Sequence, residues 1–222
     1  AACATSPPKR ALRMAVDEAT PGGIDAEAGL EVLRLLNGDG LLDFVNVIRG
    51  VIGSDVELSE VIPLHGMPAA PHLGFAGRVR SETDLAVLHG AKIDEVSTAR
   101  HAISEGLVDL VSMARAHIAD PHIVAKIIEA REEQIRPCVG ATYCLDGIYH
   151  AGEALCVHNA ATGREATMPH VIPPAPTTRR VVVVGAGPAG LEAARVAGER
   201  GHTVILLEAM PWAGGQVMLA VR

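Results

Sequence analysis

The chain has 222 residues, of which 49% are hydrophobic and 20% are charged, and its formal net charge is −7. This composition is typical of a globular protein of one or two domains, and it excludes a disordered or collagen-like chain. The acidic balance offers no basic stripe to a nucleic-acid backbone, and no apolar run approaches the roughly 20 residues that cross a bilayer, so we expect neither nucleic acid nor a membrane as a partner.

Short strand-like runs alternate with helix-like segments from Arg10 to about Arg131, a pattern that predicts parallel strands joined by right-handed helical crossovers. The strands are expected at residues 11–16, 42–48, 85–89 and 108–113. The helices are expected at residues 25–36, 75–80, 94–105 and 121–131. A long loop containing Gly and Pro is expected over residues 50–71.

Residues 132–178 break this alternation, since they contain three clustered cysteines and end in a proline-rich run that is typical of an extended linker. Cys138, Cys144 and Cys156 are separated by five and eleven residues, whereas Cys3 stands alone. A cysteine at position 141 would complete the four-thiolate spacing of an iron–sulfur site, but that residue is Ala141. Clustered thiols favour a metal site in a reducing compartment over a disulfide framework, so we expect a cytoplasmic protein.

Several structures fit these three cysteines. They could hold an iron–sulfur cluster with a non-protein fourth ligand, or a cluster with one iron fewer. His150 or His158 could instead complete a Cys₃His zinc site, and three unligated buried thiols are the remaining alternative. Gly140 and Gly147 favour a turn that wraps a ligand.

A glycine-rich turn follows the valine strand that begins at Arg180, and it opens a helix predicted at residues 191–200. In this context Gly185 permits a tight turn, Gly187 lets the backbone approach a pyrophosphate, and Gly190 lets the helix pack closely on the strand. The second strand, at residues 203–208, ends in Glu208, where a carboxylate would accept a hydrogen bond from an unphosphorylated ribose.

A second glycine pair, Gly214 and Gly215, resembles the one in FAD-type domains, which favours FAD or bound ADP over free NAD. About one β-α-β unit is present here, too little to bury both faces of a sheet. We therefore predict three regions: residues 1–131, the cysteine segment and linker at 132–178, and the start of a dinucleotide-binding domain at 179–222.

Taken in chain order, the strand and helix repeat, the segments beginning Arg136-Pro-Cys and Cys156-Val-His-Asn, and the glycine turn form a specific arrangement. It resembles the trimethylamine dehydrogenase and 2,4-dienoyl-CoA reductase group of the old yellow enzyme (NADH:flavin oxidoreductase) family, and is most similar to N-methylproline demethylase-like members. The resemblance implies an α/β chain that is an internal fragment. It would comprise the C-terminal half of an FMN-binding (β/α)₈ TIM barrel (strands five to eight), an iron–sulfur segment and the start of a Rossmann-like FAD/ADP-binding domain.

On this resemblance Arg13 matches the arginine that lies beside the flavin pyrimidine ring and stabilises negative charge on the reduced ring. The alternative is an arginine at a strand end that pairs with Asp17 or Glu18. Residues near the ends of the last two barrel strands match the loops that hold the FMN phosphate, namely Gly90, Ala91, Lys92, Ala114 and Arg115. Lys92 and Arg115 would supply charge, while the small residues would let backbone N–H groups reach the phosphate oxygens.

Arg115 could equally cap a helix or pair with Asp120. The sequence also departs from the family pattern at two places. Ala141 stands where a cluster ligand is expected, and Ala91-Lys92 replaces the commoner Gly-Arg pair, which keeps the charge without the bidentate fork.

The resemblance implies a flavin-dependent oxidoreductase that carries out oxidative N-demethylation of an N-methylated amine or amino acid, with electrons leaving through the cluster. Reduction of an enoyl or enone substrate by NAD(P)H is the alternative within the family, and a non-catalytic fragment that binds only a nucleotide or metal is the alternative outside it. Expected partners are a small-molecule substrate, NAD(P)H or an electron-transfer protein, and further copies of the full-length chain. Catalytic residues stay unassigned, although His65, His72, Asn46 and Arg49 lie on the side where barrel active sites form.

Overall fold

The computed structural model describes residues 9–220, so Cys3 lies outside the described residues. The chain forms two compact units, the first ending at Gly163 and the second beginning at Arg164.

The first unit is built on a parallel sheet whose four strands follow chain order. The strands are β1 (Ala11–Asp17), β2 (Phe44–Arg49), β3 (Ala86–His89) and β4 (Leu110–Val111). Arg13 pairs with Asn46, and Asn46 pairs with Leu88 on the next strand. Because all strands run in one direction, their carboxyl ends meet at one edge of the sheet.

Helices connect these strands and continue beyond the last of them. They are α1 (Ala26–Gly38), α2 (Asp55–Val61), α3 (Leu73–Ser81), α4 (Val96–Ser104), α5 (Ala114–Ala119), α6 (Ile123–Ile128), a 3₁₀ turn (Glu132–Gln134) and α7 (Tyr143–Ala151). The Asp25 side chain caps α1 by accepting a hydrogen bond from the Ala28 N–H at 2.9 Å. Gly29 lets this helix approach the sheet, since a Cβ there would lie 2.0 Å from the Val16 carbonyl oxygen.

The hydrophobic core lies between one face of this sheet and the helices. Val45 and Val47 of β2 are buried there together with Val87 of β3, against Leu30 and Leu33 of α1. Since successive strand residues point to opposite faces, the other face carries the row containing Arg13, Asn46 and Leu88, and none of these three is fully buried.

Several elements differ from the sequence prediction. Helix α2 lies inside the predicted loop, where Ser54 and Glu57 have the spacing of a capping box and the Ser54 hydroxyl accepts a hydrogen bond from the Glu57 N–H. The predicted strand at 108–113 is reduced to two residues, and α5 follows it directly. Gly147 lies within α7 rather than in a turn, and this helix begins after Thr142, whose backbone is left-handed (φ 57°) and whose side chain makes no cap bond. It therefore lacks the usual start signal.

The second unit contains β5 (Arg180–Val184), α8 (Pro188–Glu199), β6 (Thr203–Leu207) and α9 (Val217–Ala220). The two strands pair in parallel, from Arg180 opposite Thr203 to Val184 opposite Leu207. Helix α8 begins three residues earlier than predicted, because proline is well tolerated at a first helical position. Val182 and Val184 point to an uncovered face of β5, and their side chains are 54% and 82% exposed.

Among residues 9–220, no helix combines the length and the apolar character that a membrane span requires.

Candidate functional site

A cleft of about 300 Å³ lies at the carboxyl edge of the four-stranded sheet. Its walls come from the ends of β2 and β3, from the start of α5 and from α7, which contributes Leu145 and Ile148. Arg13, Gly90, Ala91, Lys92, Ala114 and Arg115, the residues matched to the flavin site, all line this cleft. The structure therefore brings these sequence-predicted residues to one place.

Arg13 is exposed in this cleft and does not pair with either predicted carboxylate. Asp17 accepts a hydrogen bond from Arg49 Nε at 2.9 Å, and Glu18 accepts one from the Ile24 N–H at 2.7 Å. Within the part of the chain that the structure describes, no side chain or carbonyl forms a hydrogen bond or ion pair with the Arg13 guanidinium. Its charge is thus available to a group that enters the cleft.

Arg49, in contrast, is a neutralised cation at the rim of the same cleft. Its guanidinium carbon lies 5.6 Å from the centre of the Phe75 ring, in addition to the ion pair with Asp17. Burial alone would raise the pKa of Asp17, but hydrogen bonds from Arg49 and the Ala19 N–H hold the pKa below its ordinary value. Asp17 therefore stays ionised and fixes the arginine.

The turn after β3 has an unusual backbone. Ala91 and Lys92 both adopt left-handed conformations, with φ values of 64° and 59°. A Cβ at Gly90 would lie 3.2 Å from the Ser112 carbonyl oxygen, so the backbones that follow β3 and β4 approach closely. A left-handed residue with a side chain costs about 1–2 kcal/mol, which makes this turn a strained one.

We expect the variant Ala91→Gly to be about 1 kcal/mol more stable than the wild type, because glycine adopts the left-handed conformation without the Cβ penalty. Urea unfolding measures the difference. As a control, Ala125→Gly makes the same chemical change inside α6, where it should lower stability by a similar amount. A destabilised Ala91→Gly variant would show that this turn carries no strain.

The two predicted phosphate cations both donate to one loop. This loop, residues 63–67, is here called the strap. Lys92 Nζ donates to the carbonyl oxygen of Leu64 at 2.8 Å and also to that of Met67. Arg115 Nη1 donates to the carbonyl oxygen of Pro63 at 2.9 Å. Arg115 is therefore not paired with Asp120, the alternative that its position allows, and no sequence signal indicates the strap contacts.

Three histidines near the cleft make fixed hydrogen bonds to carbonyl groups. His72 Nε2 donates to Glu60 O at 2.9 Å, and His65 Nδ1 donates to Val139 O at 2.9 Å. His89, which the sequence does not single out, is 1% exposed, and its Nδ1–H donates to Val47 O at 2.9 Å. Burial lowers the pKa of His89, so the ring is neutral, and its Nε2 has no partner among the described residues.

The three cysteines line a second, smaller cavity together with Ala141 and His158. His158 donates from Nδ1 to the Pro137 carbonyl at 3.0 Å, whereas His150 is not part of the cavity wall. Gly140, one of the two glycines where a turn is predicted, has a left-handed backbone (φ 68°). Across residues 9–220, no group of three or more His, Cys, Asp or Glu side chains is arranged to hold a metal ion.

Cys144 lies between the two cavities, since it lines both of them, as does Arg115. Burial raises the pKa of the Cys144 thiol and the neighbouring Cys138 raises it further, while the charge of Arg115 acts in the opposite direction. The thiol is therefore protonated at neutral pH, and a bound metal would have to displace its proton.

Asp120, which is 3% exposed, fixes the backbone at the start of the cysteine segment. Its carboxylate accepts hydrogen bonds from Lys126 Nζ at 2.5 Å, from the Arg136 N–H at 2.9 Å and from the His122 N–H at 3.0 Å. Burial would raise the pKa of Asp120, but these three donors and the Lys126 charge lower the pKa below its ordinary value.

We predict that Asp120→Asn lowers the free energy of unfolding of the first unit by about 3 kcal/mol at neutral pH, because the largely buried Lys126 ammonium group loses its counter-charge and keeps only the Gln134 carbonyl as a partner. The wild-type pKa is depressed, so this stability is present above the unfolded-state pKa of about 3.9 and is lost as pH falls through the folded-state pKa. Urea unfolding at neutral and acidic pH should therefore show a gap between wild type and variant that narrows on acidification.

A matched control for this measurement is Asp146→Asn, because the Asp146 side chain is 70% exposed. Its effect should stay within about 0.5 kcal/mol. If the difference in free energy of unfolding between the wild type and Asp120→Asn stays constant across the pH range, the ionised carboxylate has no such role.

The three glycines of the turn in the second unit have different backbone conformations and different surroundings. Gly185 has a φ of 97°, which only glycine adopts without strain, and a Cβ at Gly190 would lie 1.9 Å from the Gly185 carbonyl oxygen. A Cβ at Gly187 would meet nothing within 4 Å, so no packing in this unit requires a glycine there. The second position is left open to a ligand.

Glu208 and the second glycine pair contact this turn. The Glu208 carboxylate accepts hydrogen bonds from the Ala186 N–H at 2.6 Å and the Met210 N–H at 2.9 Å, and the Met210 and Ala186 bonds lower its pKa. The Gly214 N–H donates to the Ala186 carbonyl at 2.7 Å, and a Cβ at Gly215 would lie 3.1 Å from Gly187 Cα. The two glycine-rich segments thus form one compact loop pair.

Comparison with known proteins gives matches along nearly the whole chain. A family model described as FAD dependent oxidoreductase matches residues 180–221. The chain is 60% identical over 95% of its length to the probable N-methylproline demethylase of Rhizobium meliloti, and 49% identical over 89% of its length to the multifunctional alkene reductase/demethylase OYE of Caballeronia cordobensis. It covers 31% and 29% of those proteins, respectively.

Among solved structures, 2-naphthoyl-CoA reductase in complex with 2-naphthoyl-CoA is similar over 94% of this chain and 31% of its own, with a TM-score of 0.84 and 26% sequence identity. These matches confirm the predicted resemblance. They also show that the chain spans about a third of the length of the relatives it matches.

Proposed function

We propose that the polypeptide containing this chain is a flavin-dependent oxidoreductase of the old yellow enzyme (NADH:flavin oxidoreductase) family, to whose demethylases and reductases the chain is similar. The substrate is an N-methylated amine or amino acid, from which a methyl group is removed by oxidation. The observation that carries this proposal is the unpaired Arg13 in a cleft at the carboxyl edge of a parallel sheet, in a chain 60% identical to a probable N-methylproline demethylase.

We propose that the cleft holds FMN and that the first unit is strands five to eight of a flavin-binding barrel, which its four parallel strands in chain order support. FMN, when bound, supplies a hydride acceptor. Arg13 would lie beside the pyrimidine ring and stabilise its negative charge. The left-handed turn at Ala91 and Lys92, together with the start of α5 at Ala114, would direct backbone N–H groups at the phosphate.

The cysteine cavity supports an iron–sulfur cluster held by Cys138, Cys144 and Cys156, because all three residues line it, although their side chains as they stand form no metal-binding group among the described residues. Ala141 lies in its wall at the position of a fourth thiolate, so the cluster would have a non-cysteine ligand or one iron fewer. The position of Cys144 in the walls of both cavities supports electron transfer from the cleft to this cluster.

In the second unit, the open space at Gly187 and the match to an FAD-dependent family support binding of FAD or ADP. The glycine backbone would approach the pyrophosphate at the start of α8, and Glu208, with both oxygens already bound to N–H groups, would accept a ribose hydroxyl with a remaining lone pair. NAD(P)H or an electron-transfer protein would exchange electrons with these cofactors.

The second candidate is reduction of an activated alkene, because one relative is named as both an alkene reductase and a demethylase. The two reactions run in opposite directions at the flavin. Demethylation removes two electrons and a proton from an N-methyl amine, and water then releases formaldehyde. Alkene reduction consumes two electrons from NAD(P)H.

Anaerobic mixing of the purified full-length polypeptide with each substrate separates the candidates. We expect N-methylproline to bleach the flavin absorbance and to release one formaldehyde per flavin reduced. If NADH bleaches the flavin and an enone restores it, while N-methylproline does neither, alkene reduction is the function. A polypeptide that retains no flavin would refute both.

A further inference from the structure

The strap is held on its cleft side by two cationic side chains. Lys92 Nζ bonds the carbonyl oxygens of Leu64 and Met67, and Arg115 bonds that of Pro63. An ammonium group has three N–H donors, so the strap occupies two of those of Lys92. The main-chain N–H of Ala70, just beyond the strap, also donates to the Lys92 carbonyl at 3.1 Å.

On its other side the strap is bonded to the start of the cysteine segment. The His65 N–H donates to the Gly140 carbonyl at 3.0 Å, and His65 Nδ1 donates to the Val139 carbonyl at 2.9 Å. These two acceptors directly follow Cys138. A Cβ at Gly140 would lie 3.2 Å from the His65 nitrogen, so the two backbones are in close contact and leave little room for either to shift.

The strap is therefore a single short segment bonded to both candidate sites. We propose that Lys92 is a positioning residue whose ammonium group holds the strap rather than the flavin phosphate, and that the strap couples occupancy of the cleft to the order of the cysteine segment. The coupling rests on the proposed function, since it requires FMN in the cleft.

The coupling has a physical basis because the phosphate and the strap would both be bound by the turn at Ala91 and Lys92. The backbone of Ala91 and Lys92 would bind the phosphate, while the Lys92 side chain holds the strap from the same strained turn. Phosphate binding that fixes this turn also fixes the point from which the strap is held, and hence the peptide groups at Val139 and Gly140. By linkage the effect is reciprocal, so an ordered cysteine segment must tighten flavin binding by the same factor.

The test measures FMN-dependent protection of the cysteines in the full-length polypeptide, from which a chelator has removed any bound iron so that all three thiols can react. Pulse alkylation with N-ethylmaleimide, followed by mass spectrometry, gives separate rates for Cys138, Cys144 and Cys156, with and without saturating FMN. We expect FMN to slow alkylation of Cys138 by at least about 5-fold in the wild type. Cys144 lines the cleft itself, so its protection by FMN does not report on the strap. His65→Ala should lose this protection, and by linkage its FMN affinity should fall by no more than about the same 5-fold factor.

Lys92→Met should likewise lose the protection, with FMN affinity falling less than about 5-fold, since the charge is removed without loss of a direct phosphate contact. Lys9→Met and His101→Ala are the matched controls. Lys9 is 68% exposed, His101 lies on the surface of α4, and neither contacts the strap, so both variants should keep wild-type protection.

A fall in FMN affinity of more than about 100-fold in Lys92→Met, with protection intact in His65→Ala, would place the ammonium group on the phosphate and overturn the proposal. Bound FMN that leaves the wild-type alkylation rates unchanged would refute the coupling alone. A wild-type polypeptide that binds no FMN would refute the proposed function and the coupling with it.

Discussion

Replacing Gly190 by alanine is expected to unfold the second unit, whereas the same change at Gly187 should leave the fold intact and weaken nucleotide binding. In Gly190→Ala the added Cβ would lie 1.9 Å from the Gly185 carbonyl oxygen and 3.4 Å from Val183, so helix α8 could not keep its place on β5. A clash with main-chain atoms cannot be relieved by a rotamer change, and we expect a loss of more than about 3 kcal/mol.

The opposite result is expected at Gly187, because a Cβ there meets no protein atom within 4 Å. If the position faces a pyrophosphate, the added methyl group occupies space that the phosphate needs, which should weaken ADP binding by about 100-fold, or about 2.7 kcal/mol. Urea unfolding and calorimetric titration of the full-length polypeptide with ADP measure the two effects separately.

Gly198 provides the control for both variants, since it lies in the same helix with nothing within 4 Å of its Cβ position. Gly198→Ala should stabilise the helix by up to about 1 kcal/mol and leave ADP affinity unchanged. A Gly187→Ala variant that binds ADP as tightly as the wild type would mean that the open space is not the pyrophosphate site.

The strands and the glycine turn are readable from the sequence because their signals are local. Runs such as Val181–Val184 have the β-branched composition of parallel strands, and the spacing of the three glycines marks the turn, although only Gly185 needs glycine for its own backbone conformation. The capping box at Ser54 is an equally local signal, and it predicts α2. The prediction of a loop over residues 50–71 is therefore wrong, although the sequence contains the signal for the helix.

Other features depend on contacts between distant residues and carry no such signal. The strap, residues 63–67, is held through its main-chain carbonyl groups, which accept hydrogen bonds from Lys92 in the turn after β3 and from Arg115 in α5. Because every residue has a carbonyl group, the sequence gives no signal for these bonds. The burial of His89 follows from its place on β3 beneath the helices, since an isolated histidine near a glycine is more often exposed. The neutralisation of Arg49 by Asp17 likewise depends on strand register, which aligns the ends of β1 and β2.

Arg13→Met is expected to slow reduction of the bound flavin by about 10²–10³-fold, the range found when a single charge-stabilising donor is lost from an active site. Methionine replaces the aliphatic part of the arginine side chain but not its guanidinium group, so the substitution removes the charge and leaves only the tip of the side chain unfilled. Because Arg13 has no partner within the described residues, its loss breaks no ion pair, and stability should change by less than about 0.5 kcal/mol.

Stopped-flow reduction by N-methylproline gives the rate, and a spectroelectrochemical titration gives the midpoint potential of the flavin. The potential should become more negative in Arg13→Met, because the cation that stabilises the reduced ring is absent. The control is Arg100→Met, which removes an arginine that is 59% exposed and paired with Glu132 on the outer surface, and which should alter neither quantity. Arg13→Lys should recover part of the potential, since it restores the charge without the planar donor geometry. An unchanged potential in Arg13→Met would show that the guanidinium does not lie against the flavin, and the cleft would then have to bind the cofactor in another orientation.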